Sequence, residues 1–300
     1  MTITYRPGDP GDSQAVFQIF IEALMDLGAR TNVMAITGGN DAQVLESLWQ
    51  RRRPMFEFLA KAASQFWVAE REGQIVGYAR SIQFDGLQEL TEFFVSPDQQ
   101  SAGIGRELLS RAFPDSGAHY RTIVATLDER ALYRYLKAGV YARFPIKYFY
   151  RQAERVSVAS DLQFEPLQPE VDLEAIGRFD KQVLGHVREP IHRWLAAVRS
   201  GFVYRRNGEL VGYGYVGDTG SGPFALLNED DYPAVLAHAE SLMAERGKEF
   251  GVETPLINRK AVEYFTWRHY RMDAFTVVFM SNEPVGRFES YLCFSPIFFM

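Results

Sequence analysis

One stretch constrains the fold more than any other: LTEFFVSPDQQSAGIGRELLSRAF, from Leu90 to Phe113. Leu90 to Val95 is nearly all apolar or aromatic, as in a strand covered on both faces. Pro97 and Asp98 stop that strand. A polar, glycine-bearing loop follows, and a helix starts near Gly103 to Gly105 with Ile104, Leu108 and Leu109 on its inner side. The first amides of such a helix lack intrahelical partners and sit at the positive end of its dipole, so they suit an anion such as phosphate. Glycine lets a ligand come close to the backbone and permits turns denied to other residues. Two well-known phosphate loops are excluded by the spacing. Leu108 stands where a dinucleotide fingerprint needs its third glycine, and no Gly-Lys-Ser/Thr follows.

Upstream, Thr2 to Arg6 alternates as a strand, and PGDPGD is a turn with Asp12 or Ser13 placed to cap the next helix. Val16, Phe17, Phe20, Ile21, Leu24 and Leu27 then recur at helical spacing. A loop with Gly38 and Gly39 leads to a second helix carrying Val44, Leu45, Leu48 and Trp49. Arg51, Arg52 and Arg53 interrupt it; they read as a solvated face or, in the alternative, as an anion contact. Phe66 to Glu70 and Ile75 to Ile82 flank Glu72-Gly73 as a hairpin. Downstream, Thr122 to Leu127 is the next strand, then comes a helix, and PIKYFYR is a further strand ending near Arg151.

After a polar connection, RQAERVSVASDLQFEPLQPE, the order of elements repeats. Two helical segments precede a hairpin at Asn207-Gly208, then a strand, a long helix, and ETPLINRKAVEYFTWRHYRM. Asn258, Ala261 and Phe265 echo the spacing of Asp128, Ala131 and Tyr135, with His269 at the place of Gly139. The loop itself is not repeated. Asn228, Glu229, Asp230 and Asp231 stand there, three carboxylates that repel a phosphate group, with Asp230 and Asp231 read as a helix cap.

At 300 residues the chain fits two domains of ordinary size. A formal net charge of −6 argues against nucleic acid as a partner, because phosphate neutralisation needs a basic face. Most of the acidic excess lies in the second half, which favours a cationic or amine substrate if that half faces the cleft. The one cysteine, Cys293, excludes an internal disulfide, and its apolar surroundings suit an inert core thiol rather than a reactive one. The five histidines (His119, His186, His192, His238 and His269) show no metal-ligand spacing, so no metal is expected. The start of the sequence lacks the basic and apolar regions of a signal peptide, and YLCFSPIFFM is too short to cross a bilayer. It reads as a strand or tail packed on a core, with no membrane partner and a cytoplasmic location.

Gln100-Ser101-Ala102-Gly103-Ile104-Gly105 resembles the Q/R-x-x-G-x-G/A signature of the GNAT superfamily of acyl-CoA N-acyltransferases, and the flanking VSP and RELL fit that pattern. Asp128, Ala131, Tyr135, Gly139 and Val140 resemble the family's Asn-x-x-Ala-x-x-x-Tyr-x-x-x-Gly-Phe segment, with Asp for Asn and Val for Phe. The resemblance implies an α+β protein of the three-layer type. It would hold two tandem GNAT-like domains, each a mixed, mostly antiparallel twisted sheet flanked by helices. Residues 1–152 would be the catalytic acetyl-CoA domain and 160–300 a degenerate partner that shapes the substrate side or supports the structure.

It also implies acetyl-CoA as co-substrate, with its pyrophosphate on Gln100, Ser101, Ala102, Gly103, Ile104, Gly105 and Arg106, and its pantetheine along Phe93, Phe94 and Val95. Tyr135 is the candidate acid for the leaving thiolate, with Tyr133 as fallback. The candidate bases are Glu92 and Glu89. Strand alternation sets these on opposite faces unless a bulge intervenes, and Glu92 lies deeper, where desolvation raises its pKa. A backbone amide near Phe94 or Val95 would polarise the carbonyl. The expected activity is acetyl transfer to a primary amine of a small molecule or peptide, by a monomer or homodimer. The alternatives are a non-catalytic acyl-CoA-binding module, or an acyltransferase using a longer acyl-CoA or an oxygen nucleophile.

Overall fold

The computed structural model describes residues 2–33, 41–99 and 103–297. The glycine pair Gly38-Gly39 and the loop residues Gln100, Ser101 and Ala102 lie outside them. The chain divides into two compact units, Met1–Tyr141 with Ser281–Glu283, and Ala142–Met280 with Pro284–Met300.

The first unit runs β1 (Ile3–Pro7), α1 (Ser13–Thr31), α2 (Ala42–Ala62), β2 (Gln65–Arg71), β3 (Gln74–Phe84), β4 (Leu87–Val95), α3 (Ile104–Ala112), β5 (Tyr120–Thr126) and α4 (Glu129–Lys137). Its strands lie in sequence order, β1-β2-β3-β4-β5. The first three neighbours pair antiparallel and β4 pairs parallel with β5. Glu72 and Gly73 take positive φ at the β2–β3 turn, the conformation that suits a tight hairpin. One face of the sheet meets α1 and α2: Phe94 packs on Phe20 and Tyr78, and Phe20 on Phe56. The other face meets α3 through Ala69, Ala79, Ile104, Leu108 and Ala112.

Two local readings need correction, and a third, the alternation of Glu89 and Glu92, meets the bulge it was conditioned on. Helix α2 is not interrupted at Arg51 to Arg53; it continues through Pro54 to Ala62, because Met55, Phe56, Leu59 and Ala60 bury a second apolar face. Asp12 does not cap α1 with its side chain, which turns instead to the guanidinium of Arg6. The third concerns β4. Ser81 pairs with Leu90 but Arg80 with Glu92, so Thr91 is an extra residue. This bulge cancels the alternation and brings Glu89 and Glu92 to the same face.

The second unit runs β6 (Tyr141–Gln152), β7 (Gln163–Pro166), α5 (Pro169–Val183), α6 (Glu189–Val198), β8 (Ser200–Arg206), β9 (Glu209–Val216), β10 (Phe224–Leu226), α7 (Tyr232–Glu245), β11 (Glu249–Pro255), α8 (Arg259–Trp267), β12 (Arg271–Ser281) and β13 (Tyr291–Leu292). From β7 to β12 the elements follow the order of β1 to β6. Strand β6, read from the sequence as completing the first domain, pairs antiparallel with β11 in this unit. A second sheet has the order β13-β10-β9-β8-β7. Asn207 and Gly208 form the β8–β9 turn with positive φ, as at Glu72-Gly73. Asp231 stands at the N-cap position of α7 but neither it nor Asp230 caps with its side chain. Asn228 accepts from the Asp230 amide, while Asp231 pairs with Arg206 and Asp230 with Lys260. Asn258 does cap α8, accepting from the Ala261 amide at 3.1 Å.

The units differ where their central strands meet. In the first, β4 and β5 pair from Leu87 with Tyr120 to Leu90 with Ile123. In the second, β13 stands beside β10, pairing Phe224 with Leu292 and Ala225 with Tyr291. The next residue, Cys293, bonds from its amide to the Glu253 carbonyl of β11 at 2.9 Å. Tyr291, Leu292 and Cys293 are fully buried.

Candidate functional site

In the first unit the parallel pairing ends at Leu90 and Ile123, yet β4 runs on to Val95 and β5 to Thr126. Right-handed twist separates strands that are no longer hydrogen bonded. A cavity of about 160 Å³ opens there. It is lined by Leu90 to Val95 on one side, Ile123, Val124 and Thr126 on the other, and by parts of α1, α3 and α4. Glu92, Phe93, Phe94, Val95, Gly103, Gly105 and Tyr135 all reach it. Ile104 does not; it is buried in the α3 core. Arg106 is exposed and Glu89 is buried, and neither lines the cavity.

At one end of the cavity is the start of α3. Gly103 holds φ at 83°, a left-handed turn that glycine adopts without strain, and among the described residues no side chain caps the helix. A Cβ on Gly105 would stand 3.1 Å from the Phe93 ring, so glycine lets that ring approach the helix start closely. A helix start facing a cavity suits an anion such as a phosphate group. The opened edge of β4 beside it suits an extended amide arm.

Tyr135 is the residue that α4 buries. Its ring meets Phe93 edge-on at 6.1 Å between centroids. Burial raises its phenol well above the ordinary value; the charge of Asp128 adds to this and Arg134 opposes it. Tyr135 is therefore protonated across the physiological range and is a donor. Tyr133, two residues earlier, is 61% exposed and away from the cavity lining.

Glu92 carries a fully buried carboxylate. Its Oε2 pairs with the Arg80 guanidinium, and its Oε1 accepts from the Tyr78 hydroxyl at 2.9 Å. Burial pushes the Glu92 carboxyl up, against the pull of Arg80 and Tyr78. Arg80, also fully buried, donates to the Phe56 carbonyl at 2.9 Å and lies over the rings of Phe56, Phe66 and Tyr78. A lone arginine inside an apolar strand demands a buried partner, a signal in the sequence that the reading of Glu92 from its apolar run did not use.

Sequence reasoning missed the ion pairs at the cavity wall. Asp128 caps α4 through the Arg130 amide and also binds Arg30 of α1 at 2.7 Å and Arg130 at 3.0 Å. Burial pushes the Asp128 carboxyl up, but the hydrogen bonds from Arg130 and Arg30 prevail and hold it at about 2. Arg30 and Asp128 are far apart in sequence, so only the tertiary fold brings them together. Among the described residues, no three His, Cys, Asp or Glu side chains converge to hold a metal ion.

Residues 62–144 match the acetyltransferase (GNAT) domain family. No curated protein matches the chain by sequence. Several solved structures share its fold over nearly the full length. A Pyrococcus horikoshii protein described as a candidate acetyltransferase is 16% identical, with a TM-score of 0.73, covering 98% of this chain and 95% of that one. A tandem GNAT protein from the clavulanic acid biosynthesis pathway is 13% identical, with a TM-score of 0.61, covering 94% and 99%. A GCN5-related N-acetyltransferase from Sphaerobacter thermophilus is 13% identical, with a TM-score of 0.59, covering 93% and 95%. At these identities the likeness is one of fold.

Proposed function

We propose that this chain, a tandem of GNAT folds whose first unit carries the GNAT acetyltransferase domain, is an N-acetyltransferase that moves the acetyl group of acetyl-CoA to a primary amine of a small molecule or peptide. The observation that carries the reading is the opening between β4 and β5, with a glycine-started helix and Tyr135 on one cavity. Gly103 and Gly105 would receive the pyrophosphate, together with Gln100, Ser101 and Ala102 of the same loop. Phe93 to Val95 would hold the pantetheine along the free side of β4.

The chemistry follows from those positions. The amine must be neutral to attack, and it arrives largely protonated near neutral pH. A carbon–nitrogen bond forms at the thioester carbonyl and the carbon–sulfur bond breaks. The nitrogen gives up its proton towards Glu92, the carboxylate among the candidate bases that lines the cavity, and the sulfur takes one from the Tyr135 hydroxyl. Burial keeps Tyr135 protonated for that role. The second unit takes no donor in this reading, since β13 fills the position where β4 and β5 part in the first.

The test is a panel of amines with acetyl-CoA, following free thiol. Turnover of at least one amine is expected. Tyr135→Phe should lower kcat on the order of 10²-fold with little change in KM for acetyl-CoA. Glu92→Gln should depress the rate where Glu89→Gln does not, and the reverse result would move the base to Glu89. Silence across a broad panel, with acetyl-CoA still bound, would favour a non-catalytic acyl-CoA module instead.

A further inference from the structure

The charges on the cavity wall do not cancel. Its carboxylates are Glu92 and Asp128, and its cations are Arg30, Arg130 and Arg134. Glu92 is taken by Arg80, and Asp128 by Arg30 and Arg130. Arg134 forms no ion pair among the described residues. Its Nη1 donates at 2.6 Å to the Arg130 carbonyl of its own helix, which fixes the side chain without neutralising it.

Arg134 also lies against the glycine turn. A Cβ on Gly105 would stand 3.7 Å from its Nε. The guanidinium therefore sits beside the second residue of α3, at a helix start that no side chain caps among the described residues. Arg106 has the sequence position to compete for this role, but it is exposed and does not line the cavity.

We propose that Arg134 is a donor-binding residue whose guanidinium meets the pyrophosphate of the acyl-CoA, alongside the first amides of α3. The proposal rests on the acyl-CoA reading of the cavity. Backbone amides supply only partial positive charge to a group carrying two negative charges. A planar guanidinium adds a full charge in a geometry that fits phosphate oxygens. The charge is otherwise unanswered within the cavity wall, which is why this arginine is chosen over Arg30 and Arg130.

The experiment compares the full chain with Arg134→Gln and Arg134→Lys by calorimetry against CoA and dephospho-CoA, and by KM for acetyl-CoA and acetyl-pantetheine. Arg134→Gln should weaken CoA and dephospho-CoA alike, by roughly 10–100-fold, as for loss of a hydrogen bond to a charged group. The preference for acetyl-CoA over acetyl-pantetheine should fall by the same factor, and Arg134→Lys should recover part of it. An unchanged affinity overturns the proposal. So does a loss seen with CoA but not with dephospho-CoA, because the contact would then be to the 3′-phosphate. An equal loss for acetyl-pantetheine would mark a structural role and overturn it too. If the unaltered chain binds no CoA, the acyl-CoA reading itself falls, and with it the role of this residue.

Discussion

Arg80 and Glu92 place opposite charges in the interior of the first unit, with no exposure of either side chain. Removing one partner of such a pair typically costs about 3–5 kcal/mol, because the other charge is left buried and unpaired. The second unit holds a comparable group: Asp180 accepts from Arg188 and contacts His192 at 2.7 Å each, and Tyr213 also donates to it. Tyr213 follows Val211-Gly212 on β9 as Tyr78 follows Val76-Gly77 on β3, so both units put a tyrosine–carboxylate–arginine group against the same strand position. Asp128 allows a test of sign. Its folded carboxyl is held at about 2, below its ordinary value of about 3.9. A depressed carboxylate stabilises the fold above the ordinary value and loses that contribution as pH falls through the folded value. Asp128→Asn keeps a capping side chain but loses the ion pairs. The melting-temperature gap between the two proteins should be constant above pH of about 4 and should close between about 4 and 2. A gap independent of pH would show that Arg30 and Arg130 contribute nothing through charge.

At the scale of elements, the strand–loop–helix unit was legible because its signals are local: an apolar run, Pro97, two glycines and helical spacing. Both hairpins were legible for the same reason, since their turns need residues that tolerate positive φ. The bulge at Thr91 was not legible. It depends on pairing between β3 and β4, and nothing in TEFF marks the extra residue. Nor was the continuation of α2 past Pro54, where tertiary burial of Phe56 and Leu59 outweighs the local cost of proline. The glycine-loop residues were readable in type, but Arg134 escaped notice because its nearness to Gly105 depends on α4 passing beside α3. The turn into α3 carries its own prediction. Gly103 sits at φ 83° with open space around a would-be Cβ, so Gly103→Ala meets conformational strain rather than a clash. It should cost about 1–2 kcal/mol in urea unfolding, and a neutral result would contradict the left-handed turn.

Across the whole molecule, one sequence of elements is used twice with different outcomes at the central gap. In the first unit the gap is a cavity beside a helix start led by Gly103. In the second, Tyr291 to Cys293 is fully buried against β10 and β11, and Asn228 to Asp231 precede the corresponding helix. The order of elements was readable in the sequence, and the carboxylates of the second loop already argued against a second cradle. That a strand from the same chain fills the gap was not readable, because YLCFSPIFFM has no pairing signal of its own. The most direct test of the account is calorimetric titration of the full chain with CoA, unaltered and as Gly105→Glu. The unaltered chain should take one equivalent, and Gly105→Glu should take none while keeping its melting temperature. Two equivalents, or binding that survives Gly105→Glu, would contradict a single donor site in the first unit.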